Sequence, residues 1–263
     1  MGKSDKRKSG GMDPIPSLAQ LFQRWMRDEL RNRIAVNEKD GSVLVYVPAG
    51  EFEMGDGQGK DCPKHRVNLS AYWIGVYCVT NVQYRKFVEA TGHRAENDSR
   101  YREDKLVDHP AVNVNWDDAV AYAKWAGCDL PTEAQWEKAA RGPLGLIYPW
   151  GKDWDGTKCR HSGNRGNEET ARVYDYPTGA SGYGTCNQSG NVWEWCADWY
   201  GKDYYGKSPA RDPRGPGRGS GRVGRGGSWG NDGPAPCRAA NRLRYDPGRR
   251  NGDQGFRLVR PAS

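Results

Sequence analysis

The sequence predicts a loop-rich α+β domain that follows an N-terminal helix. Three observations indicate this: 35 glycines and 16 prolines among 263 residues, short β-like runs from residue 43 onward, and apolar residues at helical spacing further along. Glycine and proline interrupt long regular elements. Eleven tryptophans provide large rings, so we expect a core of a few aromatic side chains held by irregular backbone.

The N-terminal helix is predicted from a short apolar stripe behind the N-cap residue Ser17. The stripe recurs at i, i+3, i+4 and i+7, on Leu18, Leu21, Phe22 and Trp25. We expect this helix to run to about Arg33 and to cover the core. The predicted organisation is then a disordered leader or tag remnant (1–16), a helix and linker (17–41) and the domain proper (42–263).

Within the domain, short strands come first and helices follow. The strand-like runs cover residues 43–47, 52–55, 67–69 and 72–74. Helical spacing begins at about Asn81 and at Asp117, and the sequence Pro131-Thr132-Glu133 opens a third helix. Residues 142–189 lack periodicity, and a loop of this length that contains Trp150 favours a functional segment over disorder.

Charge and cysteine usage limit the function classes. A net charge of +7 and a pI near 9.0 permit anionic partners. The sequence has no basic helix with interleaved aromatics and no zinc-finger spacing, so it does not favour nucleic-acid binding. Seven cysteines without a CxxC pair fit a reducing compartment. With no secretory signal and no apolar run of about 18 residues, we expect a cytoplasmic protein without a membrane span.

Eight segments, taken in order, resemble the formylglycine-generating-enzyme (sulfatase-modifying factor) superfamily. They are VPAG (47–50), VTN (79–81), HP (109–110), LPTE (130–133), YPWG (148–151), GNVWEW (190–195), RGGSW (225–229) and GFR (255–257). The resemblance spans residues 43–259. It implies that family's loop-rich variant of the C-type lectin fold.

The resemblance also implies a structural calcium ion. The matching positions are Asn187, Gly190, Val192 and Glu194, which would contribute two side chains and two backbone carbonyls. Oxygen ligands on a tight loop suit Ca²⁺. The alternative is that Asn187 and Glu194 only accept hydrogen bonds from amides of the loop.

The family's copper site is not matched. In its enzymes two cysteines, two and seven positions after the aromatic residue that follows Gly-Gly-Ser, bind copper(I), a soft metal matched to soft ligands. Here those positions hold Asn231 and Pro236, and Cys237 lies one residue further on. A single thiol cannot reproduce the site, so we expect no copper, no catalytic residue and burial of Cys237.

Residues 230–253 resemble the variable region of diversity-generating-retroelement proteins, which are binding proteins with this fold. Adenine-directed mutagenesis of AAC codons in those proteins never produces Lys, Glu, Gln, Met or Trp, and none of these occurs from 230 to 253. The positions that fall where that family varies form the predicted ligand face: Gly230, Asn231, Asp232, Leu243, Arg244, Tyr245, Asp246, Asn251, Gly252 and Asp253. On this face we expect Tyr245 to be an aromatic anchor and Arg244 a bidentate donor.

Three functional hypotheses follow. The first is a non-catalytic protein that binds a protein or another macromolecule through this diversified face. The second is a formylglycine-generating or related oxidase with an unrecognised site, and the third is an accessory module that docks a partner through the N-terminal helix. A plain Arg- and Gly-rich surface without a ligand is the alternative for residues 230–253.

Overall fold

The computed structural model describes residues 33–94 and 102–262. The predicted leader and N-terminal helix, apart from Arg33, lie outside these residues. Within these described residues there are ten strands: β1 (Ile34–Val36), β2 (Val43–Val47), β3 (Gly50–Met54), β4 (His65–Leu69), β5 (Tyr72–Gly75), β6 (Trp193–Trp199), β7 (Arg222–Arg225), β8 (Arg242–Tyr245), β9 (Gln254–Gly255) and β10 (Val259–Pro261). The α-helices described between β5 and β6 are α1 (Asn81–Thr91), α2 (Trp116–Trp125) and α3 (Glu133–Arg141).

The strands form three sheets. One has the order β1-β2-β5-β10, a second pairs β3 with β4, and the third has the order β8-β7-β6-β9. Every pairing is antiparallel except that of β6 with β9. The strand β8, which contains the predicted face residues Leu243, Arg244 and Tyr245, is an edge strand of the third sheet.

The domain begins earlier than the sequence indicates. Residues 34–41 are predicted to be linker, but β1 pairs with β2 in the register Ile34↔Val45, so this segment belongs to a sheet. A strand of three residues is too short for an alternation of apolar and polar residues to be recognised, particularly after a segment with helical spacing.

The helices start at local capping signals. At α3, the Thr132 hydroxyl accepts a hydrogen bond from Gln135 N (3.2 Å), and Thr132 N donates to Gln135 Oε1 (2.9 Å). Asn115 and Asp118 make the equivalent reciprocal pair at α2. These boxes satisfy backbone donors that would otherwise lack a partner, which fixes where each helix begins.

The core is aromatic, as the composition predicts. Trp136, Trp193 and Trp195 are at most 1% exposed, and Phe256 and Tyr122 pack edge-on at 5.3 Å. The long segment between α3 and β6 contains only short 3-10 turns, which confirms the predicted loop. Within the described part of the chain, no helix is long and apolar enough to cross a membrane.

Buried arginines join β7 and β8 to α3, and they join β6 to the segment that follows β9. Arg242 forms a two-pronged ion pair with Glu133 (2.8 and 2.7 Å), and Arg225 pairs with Glu137 of the same helix. Arg257 pairs with Glu194 of β6. Such charges remain buried because each guanidinium meets a carboxylate in good geometry. They fix the backbone on both sides of the predicted variable positions.

Candidate functional site

The first predicted face segment, residues 230–232, follows a turn that requires glycine. Gly226 and Gly227 have φ values of 100° and 76°, and a Cβ on Gly227 would lie 3.0 Å from Cys237 Sγ. Beyond this turn, Ser228 N donates to Asn231 Oδ1 at 2.7 Å. The bond closes a tight loop that places Gly230 and Asp232 in solvent.

The structure brings the first and third face segments together. The Ser228 hydroxyl lies 3.2 Å from Asn231 Oδ1 and 3.4 Å from Asp253 Oδ2, within hydrogen-bond distance of both acceptors. Trp229 Nε1 donates to the Gly252 carbonyl at 3.0 Å. Residues 230–232 and 251–253 therefore form one continuous surface around Ser228.

The backbone of residues 251–253 is hydrogen-bonded to Trp193 and Asn113. Trp193 N donates to the Asp253 carbonyl (2.8 Å), and Asn113 N donates to the Asn251 carbonyl (2.9 Å). The Asn251 amide donates to Asp253 Oδ1 at 2.6 Å. The backbone is fixed while all three residues, including Gly252, stay partly exposed.

The second face segment, residues 243–246, runs along the edge strand β8. Leu243 is 39% exposed, and Arg244 and Asp246 are also exposed. The Arg244 guanidinium makes a long contact with Ser220 Oγ at 3.4 Å, so it retains donors for a ligand. Arginine is enriched in protein interfaces relative to the rest of the surface.

Tyr245 does not have the predicted position. Its residue is 9% exposed, and its ring packs edge-on against Trp193 and Trp195, with centroids 6.0 Å apart in both pairs. Room for the ring exists because a Cβ on Gly224 would lie 2.6 Å from Tyr245 Cδ2. Burial raises the pKa of its hydroxyl. Tyr245 is thus a core residue beneath the face, and the expectation of an exposed aromatic anchor is wrong.

Sequence reasoning missed a loop that borders the face. Ser162 N donates to the Asn231 carbonyl (3.2 Å), and the Ser162 hydroxyl donates to Asp232 Oδ1. The Arg165 guanidinium lies 5.0 Å from the Trp229 ring centroid. The only signal was the length of the loop around Trp150, which indicated function without giving a location.

The seven cysteines are all buried free thiols. At the family's two copper-binding positions, the Asn231 oxygen is engaged by Ser228, and Pro236 lies in a 3-10 turn (Ala235–Cys237). Cys237 is fully buried, as predicted. Among the described residues no group of three or more His, Cys, Asp or Glu side chains is placed to hold a metal ion.

The predicted calcium ligands fit the ion only in part. Asn187 Oδ1 is buried without a hydrogen-bond partner, as an oxygen awaiting a cation would be. The Glu194 carboxylate, however, accepts two bonds from Arg257 (2.6 Å each), one from Trp136 Nε1 (2.7 Å) and one from Cys78 Sγ (3.3 Å). These four bonds use the acceptor positions of a carboxylate and balance its charge. As a set of four ligands the residues do not fit Ca²⁺ in this arrangement.

Known proteins with similar sequences belong to the family that the sequence motifs resemble. Residues 31–262 match the sulfatase-modifying factor enzyme 1-like domain. The chain is 35% identical to the formylglycine-generating enzyme of Streptomyces coelicolor over 83% of this chain and 89% of that protein. It is also 35% identical to the serine/threonine-protein kinase Pkn1 of Chlamydia trachomatis, of which it covers 44%.

A solved structure is similar over nearly its whole length. Treponema denticola variable protein 1 superposes with a TM-score of 0.76 at 25% identity, covering 88% of this chain and 99% of that one. The sheet order, the capped helices and the long loops are therefore those of a C-type-lectin-like fold. The chain belongs to the sulfatase-modifying factor enzyme 1-like domain family.

Proposed function

We propose that this protein is a non-catalytic member of its family that binds another macromolecule through residues 230–232, 243, 244, 246 and 251–253. One observation carries the proposal: the family's two copper-binding positions hold Asn231 and Pro236, and all seven cysteines are buried. Without an accessible thiol pair, the oxidation chemistry of the family's enzymes has no ligand set for its metal.

The state of the thiols supports this proposal. A catalytic cysteine needs a lowered pKa and access to its substrate. Burial raises the pKa of Cys78, Cys186 and Cys196, and it raises the pKa of Cys128 to about 11. These groups remain protonated at neutral pH, which is the behaviour of core residues.

The alternation of buried and exposed positions supports a diversified face. Arg242, Gly255 and Arg257, which border the face segments and are here called the framework, are buried. Leu243 and Arg244, which follow Arg242, are exposed. Substitution at exposed positions usually changes the stability by less than about 0.5 kcal/mol. Such a surface can vary without loss of the fold, and the similarity to a variable protein points the same way.

Population sequencing of the gene tests the diversification. We expect substitutions confined to adenine-derived codons at the ten predicted positions, together with a near-copy of the segment in the flanking DNA. Tyr245, being buried, should retain large apolar residues among folded variants. A uniform segment without a nearby copy would refute diversification and leave a binder of one fixed ligand.

Binding measurements test the face itself. For a partner recovered by affinity capture and confirmed with purified components, Arg244→Ala should weaken binding by about tenfold or more, the usual effect at an interface hot spot. Arg218→Ala is the matched control, because Arg218 is an exposed arginine outside the face. Equal affinity of wild type and Arg244→Ala would contradict the assignment of this surface.

An oxidase is the second candidate, favoured by the identity to a formylglycine-generating enzyme. Copper(I) titration and oxygen consumption with a cysteine-containing peptide distinguish the two functions. We expect neither stoichiometric copper binding nor peptide oxidation. Observation of both would establish the enzyme and displace the binding proposal.

A docking module is the third candidate, favoured because the matched kinase contains such a domain within a longer chain. Deletion of residues 14–33 should abolish association under this hypothesis and leave it unchanged under the first. We also propose a cytoplasmic location, because seven free thiols suit a reducing compartment. Nucleic acid is not a favoured partner.

A further inference from the structure

Arg165 carries a guanidinium group that is held in place without being hydrogen-bonded. The group lies over the ring of Trp229, with Cζ 5.0 Å from the ring centroid, which is within the range of a cation–π contact. Among the residues that the structure describes, it donates no hydrogen bond and forms no ion pair. Its five N–H donors are therefore available to a bound group.

The loop that carries Arg165 is closed around a second arginine, which is buried. We call residues 160–169 the border loop. The Arg160 guanidinium donates to the carbonyls of Glu169 (3.0 Å), Asn164 (3.3 Å) and Arg165 itself (3.1 Å). The backbone of Arg165 is thus fixed before a ligand binds, which reduces the entropy lost on binding.

A fully buried asparagine joins the border loop to the ligand face. The Asn191 backbone N–H donates to the Arg160 carbonyl, and the Asn191 carbonyl accepts a bond from Trp229 N, both at 2.9 Å. Trp229 Nε1 in turn donates to the Gly252 carbonyl at 3.0 Å. Trp229, with Arg165 over its ring, therefore lies beside the first face segment, which follows it in the chain, and beside the third, which contains Gly252.

The carboxylates of the face already accept hydrogen bonds from within the protein. The pairs are Asp232 with the Ser162 hydroxyl, Asp246 with Gly248 N (2.8 Å) and Asp253 with the Asn251 amide (2.6 Å). Arg244, in contrast, makes only a long contact with Ser220 Oγ at 3.4 Å. The surface thus combines carboxylates that are partly satisfied with two guanidinium groups, those of Arg165 and Arg244, that are almost fully available.

We propose that Arg165 is a fixed anchor of the ligand face and binds a carboxylate in an acidic segment of a protein partner. The inference rests on the proposed function, because it names the chemistry that the face recognises. A guanidinium presents two parallel N–H donors that match the two oxygens of a carboxylate. Arg244 provides a second such pair of donors, so a segment with several acidic side chains fits better than an isolated carboxylate.

Nucleic acid fits this surface less well than an acidic protein segment. Its backbone carries a charge at every phosphate, and the exposed or partly exposed Asp232, Asp246 and Asp253 would repel part of a continuous anionic strand. A protein segment can place acidic residues against the arginines and neutral residues against the aspartates. Complementarity of this kind determines specificity at interfaces.

The anchor lies outside the stretch that resembles a variable region. Arg165 precedes residues 230–253, so it would remain while the neighbouring positions change. Arginine is among the residue types that supply much of the binding energy at interfaces. Versions of the protein that differ in residues 230–253 should therefore share a preference for acidic partners.

An acidic model peptide added to the full-length protein tests the assignment. The probe is a fluorescein-labelled peptide of Glu-Gly repeats, and the neutral control has Gln in place of Glu. By fluorescence anisotropy at low ionic strength, we expect Arg165→Ala to raise the Kd of the Glu peptide about threefold, the scale of a partly exposed ion pair. Arg165→Lys keeps the charge but loses the paired donors, so its Kd should fall between the two.

Arg218→Ala is the charge-matched control, because it removes the same charge from an exposed site outside the face. Its Kd should remain near that of wild type. Equal losses in Arg165→Ala and Arg218→Ala would show that the peptide responds only to the net charge of +7, and would overturn the proposal. Absence of binding would overturn it as well. Tighter binding of an oligothymidylate that depends on Arg165 would identify a phosphate ligand instead.

The partner recovered by affinity capture separates this inference from the proposed function. We expect Arg165→Ala and Arg244→Ala both to weaken its binding, and neutralisation of acidic residues in the partner to reproduce the loss. If Arg244→Ala weakens binding and Arg165→Ala does not, the ligand face stands and the role of Arg165 is refuted. If neither variant weakens binding, the proposed function itself fails.

Discussion

Replacement of Arg257 by methionine should be among the most damaging single changes in this chain. Arg257 is fully buried, and it donates two bonds of 2.6 Å to Glu194 and further bonds to the carbonyls of Gly75 (2.9 Å), Val76 (3.2 Å) and Cys186 (2.7 Å). Methionine fills much of the volume but leaves the buried Glu194 carboxylate without its counter-charge. Loss of one partner of a buried pair costs about 3–5 kcal/mol.

Urea denaturation followed by tryptophan fluorescence measures this loss. We expect the free energy of unfolding of Arg257→Met to fall by about 4 kcal/mol, which corresponds to a decrease in Tm of roughly 10 °C. The double variant Glu194→Gln with Arg257→Met should be more stable than the sum of the single effects predicts, because both charges are then removed. The exposed control Arg218→Met should change stability by less than about 0.5 kcal/mol. A loss below about 1 kcal/mol in Arg257→Met would refute the view that this ion pair secures the framework.

Three further changes probe the core and the predicted ion site. Burial, followed by the repulsion of a neighbouring carboxylate, raises the pKa of Asp198 from 3.8 to about 8. The folded state thus binds this proton more tightly than the unfolded chain, so stability falls as the pH rises between these values. Asp198→Asn should remove that decline in urea melts across a pH series, and an identical pH profile would contradict it. Because the acceptor positions of Glu194 are occupied, Ca²⁺ and EGTA should give the same Tm in scanning calorimetry; a rise of several degrees with Ca²⁺ would show that the carboxylate turns to a cation. Gly224→Ala places a Cβ 2.6 Å from Tyr245 Cδ2 and should cost about 1–3 kcal/mol in denaturant melts. Gly217→Ala, with nothing within 4 Å of the added Cβ, is the control that should remain near wild type, and equal losses in both variants would rule out the steric explanation.

The helices were predictable because their signals are local. Each combines apolar residues at helical spacing with a capping pair, and α1, α2 and α3 begin within about two residues of the predicted starts. The strands β2 and β5 follow runs of β-branched and aromatic residues in the same way, and β3 and β4 overlap the shorter predicted runs at 52–55 and 67–69. The resemblance to the family then supplied the overall arrangement, which no local pattern contains.

The strand β7 could not be recognised from its local sequence pattern. The sequence of β7 is Arg-Val-Gly-Arg, which appears polar, yet Arg225 is fully buried against Glu137 of α3. The partner lies far away in the sequence, so only the tertiary structure reveals that the charge is balanced. Buried ion pairs of this kind cannot be recognised from a hydrophobicity pattern, which assigns charged residues to the surface.

The sequence indicated which segments form the proposed ligand face, but not how the segments meet or where each side chain points. Segments 230–232 and 251–253 meet around Ser228, which no spacing rule indicates. Tyr245 points inward because Gly224 on the neighbouring strand leaves room for its ring. Ser162, whose hydroxyl donates to Asp232 of the proposed face, lies on a loop whose path is set by long-range contacts. No local sequence pattern indicates this contact.

The buried arginines of the framework have a consequence for the gene. Arg242 and Arg257 lie within or beside the stretch that adenine-directed mutagenesis would rewrite, yet both are fixed by buried carboxylates. Arginine has codons of the form CGN, which need contain no adenine, and the codons AGA and AGG, which do. If the surface positions are rewritten through adenines, the framework arginines should use CGN codons that contain no adenine. Such codons are not targets of the mutagenesis, so the side chains on which the protein's stability depends would be retained.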